Sequence, residues 1–95
     1  MADTEFVIVF AYDIERNSDR RRISTILESH ATRVQQSVFE GRMTLKAAEI
    51  ILGQLDRSRG DGDSIRMYVL TEQGRERSKA VGGAPVAEKS EFWLL

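Results

Sequence analysis

The longest apolar run lies near the start of the chain. Residues 6–12 (FVIVFAY) are seven consecutive apolar or aromatic residues, mostly β-branched or aromatic. A run of this kind, without alternation, predicts a strand buried on both faces and therefore central in a sheet. Asp13 closes it. Asn17, Ser18 and Asp19 are helix-capping types, and behind them Ile23, Ile26, Leu27 and Ala31 recur at helical spacing. A helix with one apolar stripe is expected over residues 18–30. Residues 33–40 (RVQQSVFE) alternate by twos and predict a second strand. Its alternation puts Val34, Gln36 and Val38 on one face and Arg33, Gln35, Ser37 and Phe39 on the other. Gly41 then permits a bend, with a short third strand through Met43.

Thr44 is a candidate N-cap. Leu45, Ala48, Ile51, Leu52 and Leu55 follow at helical spacing and predict a helix over residues 45–56. Residues 57–63 (RSRGDGD) hold two glycines and no apolar residue, which reads as a loop. Residues 64–71 predict a further strand with Ile65, Met67 and Val69 inward. The resulting order is that of an α+β, ferredoxin-like βαββαβ sandwich, an antiparallel sheet with both helices on one face. After residue 71 the pattern weakens. Residues 71–78 are polar, residues 79–83 read as a short strand, and residues 84–90 as a loop holding the single proline, Pro85. The chain divides into a core over residues 1–82 and a tail over residues 83–95. The tail ends in Phe92, Trp93, Leu94 and Leu95, too apolar to leave in water. Residues 91–95 are expected to add a strand to a partner subunit's sheet; folding back on their own sheet is the alternative.

Composition narrows the chemistry. With 41% hydrophobic and 31% charged residues in a chain of 95, the balance is that of one globular domain rather than a disordered segment. No apolar run approaches the roughly 20 residues that span a bilayer. The first residues lack the basic start of a signal peptide, so a cytoplasmic protein without membrane contact is expected. The absence of cysteine excludes disulfides, thiolate zinc sites, iron–sulfur clusters and cysteine nucleophiles. With one histidine, His30, a multi-histidine metal site is excluded as well. Any metal must be bound mainly by oxygen, which favours Mg2+ or Mn2+.

The net charge of −1 hides an uneven layout. Residues 1–19 hold five acids and one base, whereas residues 20–46 hold six bases and two acids. Eleven of the 14 basic residues are Arg, whose planar fork suits phosphate; GC-rich coding also produces such a bias.

Three features can carry chemistry. Asp13, closing a buried strand, is expected to be partly desolvated, and reads either as a functional carboxylate or as the cap of the turn into the first helix. Arg20, Arg21 and Arg22 put cations at a helix start, against the helix dipole. A bound phosphate reverses that conflict; neutralisation by Glu15 and Asp19 on a solvated surface is the other reading. The Arg33, Gln35, Ser37, Phe39 face is too polar for a core face and suits a sugar–phosphate backbone, a solvated surface or a dimer contact. Ser37 has no activating histidine and is not a nucleophile. His30 reads as a C-terminal dipole partner of the first helix.

Residues 10–14 (FAYDI), 20–22 (RRR) and 33–41 (RVQQSVFEG) together resemble the CRISPR-associated protein two family, the small adaptation subunit of CRISPR systems, often described as a metal-dependent endoribonuclease. The RVQQSVFEG run is the most specific element, and the resemblance spans residues 5–71. It implies a two-fold homodimer of ferredoxin-like subunits. Asp13 matches the family's metal-binding aspartate at the subunit interface. Tyr12, Arg20, Arg22, Arg33, Ser37 and Phe39 match positions associated with nucleic-acid cleavage or binding. Gln36 stands where many relatives carry an aromatic or other residue. The implied activity is Mg2+-dependent endonuclease cleavage of RNA or duplex DNA. The implied partner is the CRISPR integrase subunit, CRISPR-associated protein one, whose dimers the homodimer bridges during spacer acquisition.

The residues themselves support pairing of two copies. One Asp is a single protein ligand, and a two-fold axis beside Asp13 brings two carboxylates together. Three function classes follow: a metal-dependent endonuclease using Asp13, a non-catalytic scaffold holding duplex DNA between integrase subunits, and a ferredoxin-like regulatory domain for a small ligand. The last lacks a glycine-rich effector pocket and ranks third.

Overall fold

The computed structural model describes residues 4–87. In chain order these form β1 (Glu5–Asp13), α1 (Asn17–Glu28), β2 (Thr32–Gln35), β3 (Val38–Thr44), α2 (Leu45–Ser58), β4 (Ser64–Leu70) and α3 (Glu72–Arg77). The four strands make one antiparallel sheet in the order β2-β3-β1-β4. The apolar run thus becomes the inner strand, paired with β3 on one side and β4 on the other. The fold class is the expected one. No helix among the described residues is long and apolar enough to cross a membrane.

Strand parity organises the core. Ile8, Phe10 and Tyr12 of β1 point the same way as Phe39 and Met43 of β3. They pack against Ile23 and Leu27 of α1 and Ala48, Ile51 and Leu55 of α2. Both long helices therefore cover one face of the sheet. The opposite parity sends Val7, Val9, Ala11 and Asp13 to the other face, beside Leu70, Tyr68, Arg66 and Ser64 of β4. There Val7 is buried, α3 leans on β1 and β4, and Tyr68 is 48% exposed. Arg42 on this face bridges Glu72 at 3.1 Å and Glu5 at 4.0 Å.

Caps follow the sequence only in part. Thr44 caps α2, accepting the Ala47 N–H at 3.1 Å. The first turn of α1 has no side-chain cap: Arg16 occupies the N-cap position and Asn17 is already helical. Asp19 instead pairs with Arg22 at 3.5 Å.

The expected single strand over residues 33–40 is two strands. Gln36 and Ser37 form a tight turn between β2 and β3, with a register shift between Arg33 and Gln35. Among the described residues no non-glycine residue adopts a positive φ, so this is not a primed turn whose twist matches the strands. The bulge absorbs the mismatch. Arg33 still shares a face with Phe39, because the two are cross-strand partners rather than neighbours by alternation. That face is nonetheless the core face: Phe39 is fully buried, since β3 lies inside the sheet under the helices.

Val69, expected inward, is 39% exposed, because β4 is an edge strand that the helix layer does not fully reach. Residues 71–78, read from the sequence only as polar, contain α3, capped by Thr71 through the Gly74 N–H at 3.0 Å. Residues 79–83 form no strand. Gly82 and Gly83 take φ of +74° and +72°, a left-handed geometry incompatible with extended pairing. Residues 86 and 87 are tied back to the body. Arg75 Nε donates to the Ala87 carbonyl at 2.8 Å, and the Ala87 N–H donates to Glu40 at 3.3 Å. The expected tail strand over residues 91–95 lies outside the described residues.

Candidate functional site

At the C-terminal end of β1 a cleft of about 560 Å3 opens, lined by Tyr12, Asp13, Ile14, Asn17, Arg20, Gln36 and Ser37. It forms where the β1–α1 connection and first turn of α1 meet the β2–β3 turn. Hollows of about 610 and 580 Å3 lie elsewhere, one beside residues 28–34 and 84–87, the other between α2 and β4. Neither contains an expected site residue. The smaller cleft brings together Tyr12, Asp13, Arg20 and Ser37, and so holds the candidate chemistry.

Asp13 is exposed, contrary to the expected partial desolvation. It is the last residue of β1, and its parity turns it toward the face away from the two long helices. Its backbone partner is Ser64, the first residue of β4. Its charge is therefore solvated and costs the fold little.

Arg20 reaches back from the first turn of α1. Its Nη1 donates to the Ile14 carbonyl at 2.8 Å and to the Glu15 carbonyl at 3.4 Å. The guanidinium is thus held at the cleft by backbone oxygens. Arg22 does not reach the cleft. It sits on the α1–α2 side, paired with Asp19 and 3.5 Å from the Ser58 carbonyl.

The RVQQSVFEG run braces the turn that forms the cleft's far wall. Arg33 stacks its guanidinium 4.8 Å from the centre of the Phe39 ring. Tyr12 stacks on the same ring with centroids 6.4 Å apart. Arg33 Nη1 and the Tyr12 hydroxyl, the latter at 3.4 Å, both donate to the Gln36 carbonyl. The Tyr12 N–H donates to the Ser37 carbonyl at 3.0 Å. Arg33 also faces Glu28 at 3.6 Å. Phe39, expected to contact nucleic acid, therefore offers no ring face to a ligand; its burial positions Arg33 and Tyr12.

Sequence reasoning missed Asn17 and Gln36 as cleft residues, and it missed Asp63. Asp63 Oδ1 accepts the Glu15 N–H at 3.0 Å, and Oδ2 accepts the Gly60 N–H at 2.8 Å. The Glu15 and then the Gly60 hydrogen bonds, with smaller help from Arg59 and Arg16, hold its carboxyl below the usual carboxylate range against a desolvation that raises it. A loop reading of residues 57–63 carried no signal for this, because the partners are backbone amides.

The model of the CRISPR-associated protein Cas2 family matches residues 6–78, which covers the sheet, all three helices and every residue of the cleft. The chain belongs to the Cas2 family. A protein of Chloroflexus aurantiacus named CRISPR-associated endoribonuclease Cas2 1 is 34% identical over 85 residues, covering 87% of this chain and 91% of that one. The crystal structure of Streptococcus pyogenes Cas2 at pH 6.5 superposes with a TM-score of 0.69 at 26% identity, covering 80% of this chain and 99% of that one. A chain of a partial Cas6-RT-Cas1–Cas2 complex gives a TM-score of 0.67 at 26% identity, covering 88% of this chain and 99% of that chain. Family membership assigns the chain to CRISPR-Cas adaptation.

Proposed function

We propose that the protein is a metal-dependent endonuclease that works as a homodimer and bridges integrase dimers in spacer acquisition. The observation that carries the reading is Asp13: an exposed carboxylate lining a cleft that Arg20 also lines. The name endoribonuclease borne by the Chloroflexus relative supports nuclease chemistry, and the Cas1–Cas2 complex supports the integrase partner.

The donor set suits a hard cation. Asp13 and Ser37 offer oxygen, and among the described residues no three His, Cys, Asp or Glu side chains cluster as ligands. One chain therefore supplies one carboxylate. The sheet face that carries Asp13 also carries half-buried Val9 and Ala11 and exposed Tyr68, a surface suited to a second copy. Stacking two such faces brings two Asp13 residues to one axis. Bound between them, Mg2+ or Mn2+ would supply Lewis-acid polarisation of a phosphodiester. The chain's own residues do the rest. Arg20 binds and orients the phosphate, Tyr12 and Arg33 fix the Gln36–Ser37 wall, and Asn17 and Ser37 supply neutral hydrogen-bonding groups at the scissile position.

A second reading, a DNA-binding scaffold without cleavage, is favoured by the single carboxylate per chain. Incubating purified wild type and Asp13→Asn with single-stranded RNA and duplex DNA, in Mg2+, Mn2+ and EDTA, decides between them. Cleavage that needs metal and Asp13 is expected. Cleavage surviving in Asp13→Asn refutes the reading; binding of duplex without any cleavage by wild type supports the scaffold.

A further inference from the structure

The peptide group joining Ile14 to Glu15 is gripped from both ends. Its carbonyl accepts from Arg20 Nη1 at 2.8 Å, and its N–H donates to Asp63 Oδ1 at 3.0 Å. This peptide lies just past Asp13, where the sheet ladder has ended. Only Ile14, Glu15 and Arg16 separate β1 from α1. The Ile14 side chain is anchored in the core, and the double grip on its peptide adds a backbone anchor where the chain leaves Asp13.

Asp63 is itself held in place. Its second oxygen accepts the Gly60 N–H at 2.8 Å, and its own N–H donates to the Gly60 carbonyl at 3.1 Å. Arg59 Nη1 donates to the Asp63 carbonyl at 3.1 Å, while Arg59 Nε pairs with Asp56 at 2.8 Å. The next residue, Ser64, is the ladder partner of Asp13. A tight turn in the α2–β4 loop thus presents a carboxylate to the β1–α1 loop, 48 residues away in sequence.

We propose that Asp63 is a positioning residue for Asp13, locking the Ile14–Glu15 peptide against Arg20 so that the Asp13 carboxylate and the Arg20 guanidinium keep a fixed spacing across the cleft. Both Asp63 oxygens are committed to backbone N–H groups, which makes it a brace and not a second metal ligand. The task requires an acceptor at both oxygens, which a carboxylate provides and an amide provides at only one. The inference rests on the reading of Asp13 as the reacting centre. Misplacement of a reacting group by about 1 Å costs up to ~100-fold in rate.

The test compares Asp63→Ala and Asp63→Asn with wild type in two measurements. In RNA cleavage with Mn2+, Asp63→Ala is expected to lower kcat by about 10–100-fold while KM stays within about twofold, and Asp63→Asn to fall between Asp63→Ala and wild type. In 15N-labelled protein, Asp63→Ala is expected to speed amide exchange at Glu15 and Gly60 and to shift the Asp13 and Ile14 resonances, leaving Ile8 and Phe10 unchanged. A kcat within twofold of wild type overturns the proposal. So does a loss of kcat accompanied by faster exchange along all of β1, because that is general destabilisation. A wild type that cleaves nothing refutes the nuclease reading instead. The brace then stands or falls on the Asp13 resonances and Glu15 exchange, and it is overturned if these do not move.

Discussion

Gly41 and Gly53 invite the same substitution with opposite results. Gly41 lies in β3 at the end of the RVQQSVFEG run. A Cβ there would sit 2.9 Å from the His30 carbonyl oxygen, 3.0 Å from Ala31 Cβ and 3.2 Å from Ala31 Cα. Two of those three atoms are backbone, in the connection that leads from α1 into β2, so no flexible side chain can yield. Gly41→Ala must push that connection outward by several tenths of an ångström. Overpacking of this kind costs about 1–3 kcal/mol. For a domain of this size each kcal/mol moves Tm by about 4–8 °C, so a fall of about 5–20 °C is expected. Gly53 lies inside α2, and a Cβ there meets only Arg57 Nη1 at 3.5 Å, an ordinary contact. Gly53→Ala gains about 0.8–1 kcal/mol of helix propensity, and Tm is expected to rise by about 4–8 °C. Scanning calorimetry of the two variants against wild type checks both. A Gly41→Ala protein that melts within 2 °C of wild type, by order-of-magnitude comparison with the shift above, would refute the close-approach argument. A Gly53→Ala protein that melts lower would refute the propensity argument.

Other expectations concern the cleft and its supports. Arg20→Ala is expected to weaken nucleic-acid binding and to reduce the slope of log affinity against log salt by about one, whereas Arg22→Ala, turned toward Asp19 and Ser58, changes the slope little; equal slopes for both in a salt titration would contradict this placement. Phe39→Ala removes a fully buried ring at a cost of about 3–5 kcal/mol, so any lost binding should track lost folding by circular dichroism; a variant with wild-type Tm that cannot bind would place the ring in the interface after all. Asp63 has a depressed carboxyl pKa, so its stabilisation is complete above the ordinary carboxylate range and lost as pH falls through the folded value. Wild type should therefore exceed Asp63→Asn in stability at neutral pH, and the gap should close below about pH 4; a gap constant from pH 7 to pH 3 in urea titrations would show that the carboxylate's charge is irrelevant.

Much of the fold was legible because it rests on periodicity. The unbroken apolar run could only be an inner strand, and the stripes of Ile23 and Leu27 and of Ala48, Ile51 and Leu55 could only face it. The turn at Gln36 and Ser37 was not legible. Neither residue is a glycine or proline, and the alternation by twos runs straight through them. Phe39 was misplaced for the same reason: its burial depends on β3 lying second in the sheet, which no local pattern encodes. The six residues of α3 are too few and too polar to show a stripe. Asp13 was visible from its place at the end of a strand. Asp63 was not, since its role consists of hydrogen bonds to main-chain amides on two loops.

The inner strand has a bearing on how the chain acquires its shape. Both of its neighbours come late: β3 begins at Val38 and β4 at Ser64. Until then its seven-residue apolar stretch has both edges bare and no sheet to join, the condition in which chains stick to one another. Pairing across such sequence separations is slow, because the loop entropy must be met before any contact compensates for it. The Asp13–Ser64 pair closes the last edge. An emerging chain therefore leaves one edge of this strand unpaired until residue 70 has been made.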